Sequence, residues 1–104
     1  MGLALVVTHL LMPGHEDAFD ALVARTLEGI RASEPGTLIY VSHAAADPPR
    51  RIFYELYADR AAFEVHERQP HVVRFLAERL DHVESFDVDF LDPVAGTAAA
   101  TTIP

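Results

Sequence analysis

The chain has 104 residues, the size of one domain. Its 16 acidic and 8 basic side chains, the latter all arginine, leave a net charge of −8, which phosphate backbones and anionic membranes would repel, so nucleic-acid binding is not expected. The absence of cysteine excludes disulfides, thiolate zinc sites, iron–sulfur clusters and a cysteine nucleophile.

The first apolar run, LALVVTHLLM at 3–12, reads as a strand stopped by Pro13-Gly14. It is apolar on both faces, as in a strand covered on both sides. It is too short to span a bilayer and carries neither a basic leader nor a small-residue cleavage site, so a cytoplasmic protein is expected. Residues 15–33 read as a helix, with Phe19, Leu22, Val23, Thr26, Leu27 and Ile30 at three- and four-residue spacing. Glu16 and Asp17 suit its first turn and Arg31 its last, and Glu34-Pro35-Gly36 ends it. TLIYVSH at 37–43 and RIFYELY at 51–57 are two further strands. The loop between them is too short for a crossover helix, so they pair antiparallel. Asp59 is placed to cap a short helix, RAAFEVHE. Pro70 opens a second helical piece to about Leu80, predicted to bury Val72, Val73, Leu76 and Leu80. HVESFDVDFL at 82–91 is the last strand, and residues 93–104 form a tail without periodicity.

The order β-α-β-β-α-β over residues 1–92 predicts an α+β, ferredoxin-like domain: a four-stranded antiparallel sheet with helices on one face. That fold leaves the other sheet face bare, yet the first three strands are apolar on both faces. Monomers rarely expose an apolar patch beyond roughly 300–600 Å². A homodimer is therefore expected, two sheets packed face to face into a dimeric α/β barrel, with the tail at 93–104 as an arm across the partner.

Six histidines are the first candidates for chemistry. His15 and His82 fall at element ends and are expected in solvent. His9 and His43 lie on strands; His9 shares a face with Leu5, Val7 and Leu11 and is either a satisfied core residue or part of a site. His66 and His71 flank the break at Pro70, where a restarted helix can open a mouth onto the sheet. An imidazole there could move a proton near neutral pH, or it could bond a carbonyl freed at the break. The five-residue spacing of His66 and His71, with proline between, is not that of a helical metal-binding pair, and no metal is expected. Glu55 sits mid-strand between Phe53 and Tyr57, where a buried carboxylate must pair, for instance with Arg74, or face a polar cavity. Tyr40, Tyr57, Phe63 and Phe75 offer either core packing or the lining of a flat aromatic ligand. No Gly-rich phosphate loop or nucleophile elbow is present, which argues against a nucleotide or flavin site and a serine hydrolase.

Four segments, MPGHEDAFDAL, EPGTLIYVSH, YELYADRAAFEVHERQPHVVRF and FDVDFLDP, resemble the antibiotic biosynthesis monooxygenase family, which includes the quinol monooxygenases. They match its Pro-Gly turn into the first helix, its E-x-G-x-x-x-Y strand, its E-x-W, A-x-x-x-H and P-H signature, and its closing strand. The likeness spans about residues 5–93, and the third segment is the most specific. It implies the dimeric α/β barrel fold and enzymes that oxidise phenols, anthrones or quinols with molecular oxygen, using no metal, flavin or nicotinamide. By this resemblance His66, His71 and Glu55 occupy the signature positions and are the catalytic candidates, with Tyr57, Tyr40, Phe63, Phe75 and His9 around the substrate. Tyr57 stands where the family often has tryptophan. The chain has neither tryptophan nor asparagine, which argues against the family's haem-degrading branch.

Three functions follow as expectations: a cofactor-independent monooxygenase on a small aromatic phenol, anthrone or quinol; a non-catalytic small-molecule-binding dimer; or a cofactor-free isomerase or cyclase on a polyketide-like ring.

Overall fold

A computed structural model describes residues 2–97. Chain order is β1 (Leu3–Leu11), α1 (Glu16–Ser33), β2 (Thr37–Ala45), β3 (Arg50–Tyr57), α2 (Arg60–Arg68), α3 (Pro70–Glu78), a 3₁₀ turn (Arg79–Asp81) and β4 (Val83–Leu91). The four strands form one antiparallel sheet in the order β2-β3-β1-β4, the ferredoxin-like α+β arrangement. Strands β2 and β3 run further toward their turn than the prolines imply, leaving only residues 46–49 outside them.

The period-two alternation of a strand divides the sheet into two unlike faces. Under the helices lie Leu5, Val7, His9 and Leu11 of β1 with Phe53, Glu55 and Tyr57 of β3, all buried. Phe19, Leu22 and Val23 of α1 and Phe75 of α3 pack onto them, so the core is a single layer between sheet and helices. The opposite face presents Val6, Thr8, Ile52 and Tyr54, half-buried, and Val41, exposed. On β4, Phe86, Val88 and Phe90 register with His9, Val7 and Leu5 and so point to the helix side, yet each is more than a third exposed at this edge.

Two helix details position the site. The Asp59 carboxylate accepts from the Ala62 N–H at 2.8 Å and caps α2, and Pro70 opens α3 directly after α2 ends. The buried stripe of the last helix is Val72, Phe75 and Arg79, with Leu76 partly buried. The expectation that Val73 and Leu80 are buried is corrected: they are 54% and 57% exposed. After Glu78 the chain tightens to a 3₁₀ turn, in which Arg79 is buried and Leu80 is turned outward.

The tail begins without regular structure: Pro93, Val94 and Ala95 border a hollow with Ala4, Tyr54 and Leu56 on the uncovered side of the sheet. Residues 98–104, and with them most of the expected arm, lie outside the described residues. Among the described residues no helix is long and apolar enough to cross a membrane.

Candidate active site

A cavity of about 330 Å³ lies between the sheet and α2–α3. Its walls come from β1 (Leu5, Val7, His9), β2 (Tyr40), β3 (Phe53, Glu55), α2 (Phe63, His66, Glu67), the last helix (Val72, Phe75, Leu76), the following turn (Arg79), and Val88 and Phe90 of β4. The Pro70 break turns the chain between two short helices, so His66 and Phe75 approach the cavity from different helices.

Glu34 organises the histidines. It caps the C-terminus of α1 with its side chain buried, and its carboxylate meets both of them. The His66 Nδ1–H donates to Oε1 at 2.6 Å, the His71 Nε2–H donates to Oε2, and the Thr37 hydroxyl donates to Oε1 at 2.7 Å. A carboxylate only accepts, so both tautomers are fixed by the bonds they make. Burial alone would raise the Glu34 carboxyl, but the bonds from His71, Thr37 and His66 together hold it below the usual carboxylate range. With Nδ1 engaged, the Nε2 lone pair of His66 is left as its free acceptor. His66 lines the cavity; His71 does not, its ring being pressed against Gly29 of α1. The sequence-level pair therefore separates into one imidazole at the cavity and one behind it.

Glu55 faces the cavity and does not pair with Arg74, which instead meets Glu78 at 3.6 Å. Its Oε1 accepts the Tyr57 hydroxyl at 2.5 Å. Burial pushes the Glu55 carboxyl up to about 7, against the lowering effect of the Tyr57 bond. Tyr57 is fully buried behind the cavity wall, packed on Phe63 and His66. Its phenol is held far above its ordinary range, first by burial and then by Glu55, so it donates and does not ionise. Tyr40 does reach the cavity, its ring against Phe53 and His66 at 5.5 Å each, and burial with the nearby Glu55 charge raises its phenol too.

His9 is fully buried yet borders the cavity. Its Nδ1–H donates to the Arg51 carbonyl at 3.3 Å and its Nε2 accepts from Arg79 Nη1 at 3.1 Å. Burial, then the Arg79 charge, lower its imidazole to about 4, so it is neutral at physiological pH. Phe63 and Phe75 line the cavity as expected of aromatic walls. His15 and His82 are not free in solvent: their Nδ1 atoms share a hydrogen bond of 2.9 Å, because the turn into α1 and the start of β4 are stitched by Met12 N–H to His82 carbonyl. His43 lies on the uncovered face, bonded to the Ile52 carbonyl at 3.2 Å. Among the described residues no three His, Asp or Glu side chains are arranged to hold a metal ion.

Two residues of the site are not singled out by sequence reasoning: Glu34 behind the His66 ring and Arg79 at the cavity wall. Glu34 reads in sequence as a helix stop, although an acid at a helix C-terminus opposes the dipole and needs another reason to be there. Arg79 is seven residues after Val72 and four after Phe75, the buried side of an amphipathic helix, and that spacing marks it.

An acid, an imidazole and aromatic walls thus meet in one chamber between a ferredoxin-like sheet and its helices, in a small α+β protein. Residues 4–78 match the family model for antibiotic biosynthesis monooxygenase, and the chain belongs to that family. A candidate antibiotic biosynthesis monooxygenase from Bacteroides thetaiotaomicron superposes with a TM-score of 0.84 at 22% identity, covering 96% of each chain, a likeness in fold. A protein from Pseudomonas aeruginosa superposes at 0.79 with 26% identity, over 90% of this chain and 95% of that one. A structure named antibiotic biosynthesis monooxygenase superposes at 0.80 with 26% identity, over 89% of this chain and 99% of that one. No curated protein matches the sequence.

Proposed function

We propose that the protein is a cofactor-independent monooxygenase that oxidises a small phenol, anthrone or quinol with molecular oxygen. The observation that carries this reading is the Glu34–His66 pair at the wall of an aromatic cavity. A carboxylate on Nδ1–H orients the imidazole and stabilises the charge it gains, leaving Nε2 to take a proton. The cavity is at the small end of ligand pockets, which suits one or two fused rings.

The ring packs between Phe53, Phe75 and Tyr40, and His66 Nε2 accepts the phenolic proton. The resulting anion is electron-rich enough to transfer an electron to oxygen, and the radical pair joins to form a carbon–oxygen bond. Loss of water then gives the quinone: one oxygen atom enters the ring, the other leaves as water, and the two hydrogens lost by the substrate end in that water. The walls exclude bulk solvent from the anion. Glu55, neutral below about pH 7, donates toward the ring oxygen; once ionised it repels the anion. Two copies pair through the half-buried apolar sheet face, on the far side of the sheet from the cavity.

Oxygen uptake with a panel of hydroquinones and anthrones tests this. Wild type consumes oxygen, and His66→Ala loses about 10²-fold or more in kcat, the usual scale for a general base. Uptake unchanged in His66→Ala overturns the role of His66; complete loss in Glu55→Gln with His66→Ala active moves proton acceptance to Glu55. No uptake with any member of the panel rejects the oxygenase and leaves the ligand-binding dimer.

A further inference from the structure

Arg79 is about nine-tenths buried, and its guanidinium borders the cavity. One nitrogen, Nη1, is satisfied by the neutral His9 ring, and the plane lies over Phe86 with 3.8 Å from Cζ to the ring centroid. Its Nε is buried with no hydrogen-bond partner. Among the described residues no carboxylate oxygen comes within the 4.0 Å of an ion pair with it. Two carboxylates line the same cavity, but Glu55 takes the Tyr57 hydroxyl and Glu67 lies exposed at its rim. A buried, permanently charged group with an unmade hydrogen bond is costly unless something supplies the missing acceptor and charge. Among the described residues nothing does so, and the guanidinium borders the chamber where a ligand could.

We propose that Arg79 is an anion subsite that receives the ionised oxygen, phenolate or carboxylate, of a small aromatic ligand. This deepens the reading of the cavity as the ring-binding site, on which it rests, and adds a charge requirement to it. His9 is the positioning residue: its lone pair holds Nη1 against β1 and so fixes the guanidinium at the cavity wall, while Phe86 and Phe75 flank it. Specificity then comes from charge as well as shape. A neutral ring of the same outline leaves Arg79 unanswered.

Calorimetric titration of the intact protein with benzoate and with its neutral isostere benzamide, at pH 6, tests the carboxylate arm. Titration of bound 4-nitrophenol, whose neutral and ionised forms absorb differently, tests the phenolate arm. The expected result is benzoate binding about ten- to hundredfold tighter than benzamide, or bound nitrophenol ionising roughly one or more pH units below the free compound. The arm that responds identifies the oxygen type. Arg79→Leu abolishes the preference and Arg79→Lys keeps part of it, with circular dichroism checking the fold. Equal affinities together with an unshifted nitrophenol in wild type overturn the proposal without reference to any variant, and so does a preference that survives Arg79→Leu. Because His66→Ala leaves Arg79 in place, benzoate preference retained in that variant alongside lost oxygen uptake separates this subsite from the proton-transfer reading.

Discussion

Glu34 is the residue on which the histidines depend. Its two oxygens collect three donors from three different elements, β2, α2 and α3. Glu34→Gln replaces an anionic acceptor by an amide that can meet only one imidazole as donor-acceptor pair, and it leaves the other ring unmatched in a buried place. Unfolding in urea should show a loss of about 3 kcal/mol, the scale for breaking a buried polar network; a loss below about 1 kcal/mol would mean that solvent satisfies the rings.

Glu55 and His9 pull the pH dependence of stability in opposite directions. Glu55 is raised from 4.5 to about 7, so the native state holds its proton longer than the unfolded chain, and stability falls as pH rises across that window. His9 is lowered from 6.5 to about 4, so the unfolded chain binds the proton first, and stability falls as pH drops across that window. Each contributes about 3 kcal/mol at full extent, and they nearly offset. Glu55→Gln removes one of the pair, so its stability relative to wild type should climb by about 3 kcal/mol between pH 4.5 and 8. Urea melts at the two pH values measure this, and parallel curves would refute the burial of a neutral Glu55. In activity, the same substitution should abolish the fall of kcat/KM above about pH 7.

At the scale of elements, the close approach of α1 and α3 is made possible by Gly29, where an added methyl group would collide with the His71 ring. In an exposed helix Gly→Ala gains up to about 1 kcal/mol. Here Gly29→Ala should instead lower the melting temperature and release His71 from Glu34, visible as a change in the His71 ring resonances; a raised melting temperature would show that the helices have room to separate. The elements themselves were legible because each carries its own punctuation: Pro13-Gly14, Glu34-Pro35-Gly36, Asp59 and Pro70. Their order led directly to the antiparallel sheet. The site was legible only in part. His66, Glu55 and the aromatic walls stand on recognisable strand or helix faces. The bond from Glu34 to His66, by contrast, joins residues 32 apart in sequence, and no local period encodes such a contact. Arg79 is legible from its spacing after Val72 and Phe75, and escapes a reading that follows only apolar residues along that face.

For the whole molecule, the uncovered sheet face is the feature for which we propose a second copy. Val6, Thr8, Ile52 and Tyr54 are half-buried there and Val41 is 43% exposed, an apolar surface left beside the negative charge of the chain. Sedimentation should give a dimer of the 11.5 kDa chain. Val6→Asp should shift it to monomer while leaving the helix-side core intact, because Val6 points away from that core. A wild-type monomer at micromolar concentration would remove the barrel from the account. The proposed proton transfer, by contrast, uses residues of a single chain.

Labelling with ¹⁸O₂ reaches the chemistry itself. With a hydroquinone or anthrone that the protein turns over, the account predicts one labelled oxygen atom in each quinone formed, and loss of that product in His66→Ala. Turnover that proceeds equally well without oxygen, or a product free of label under conditions that prevent exchange with water, would contradict it.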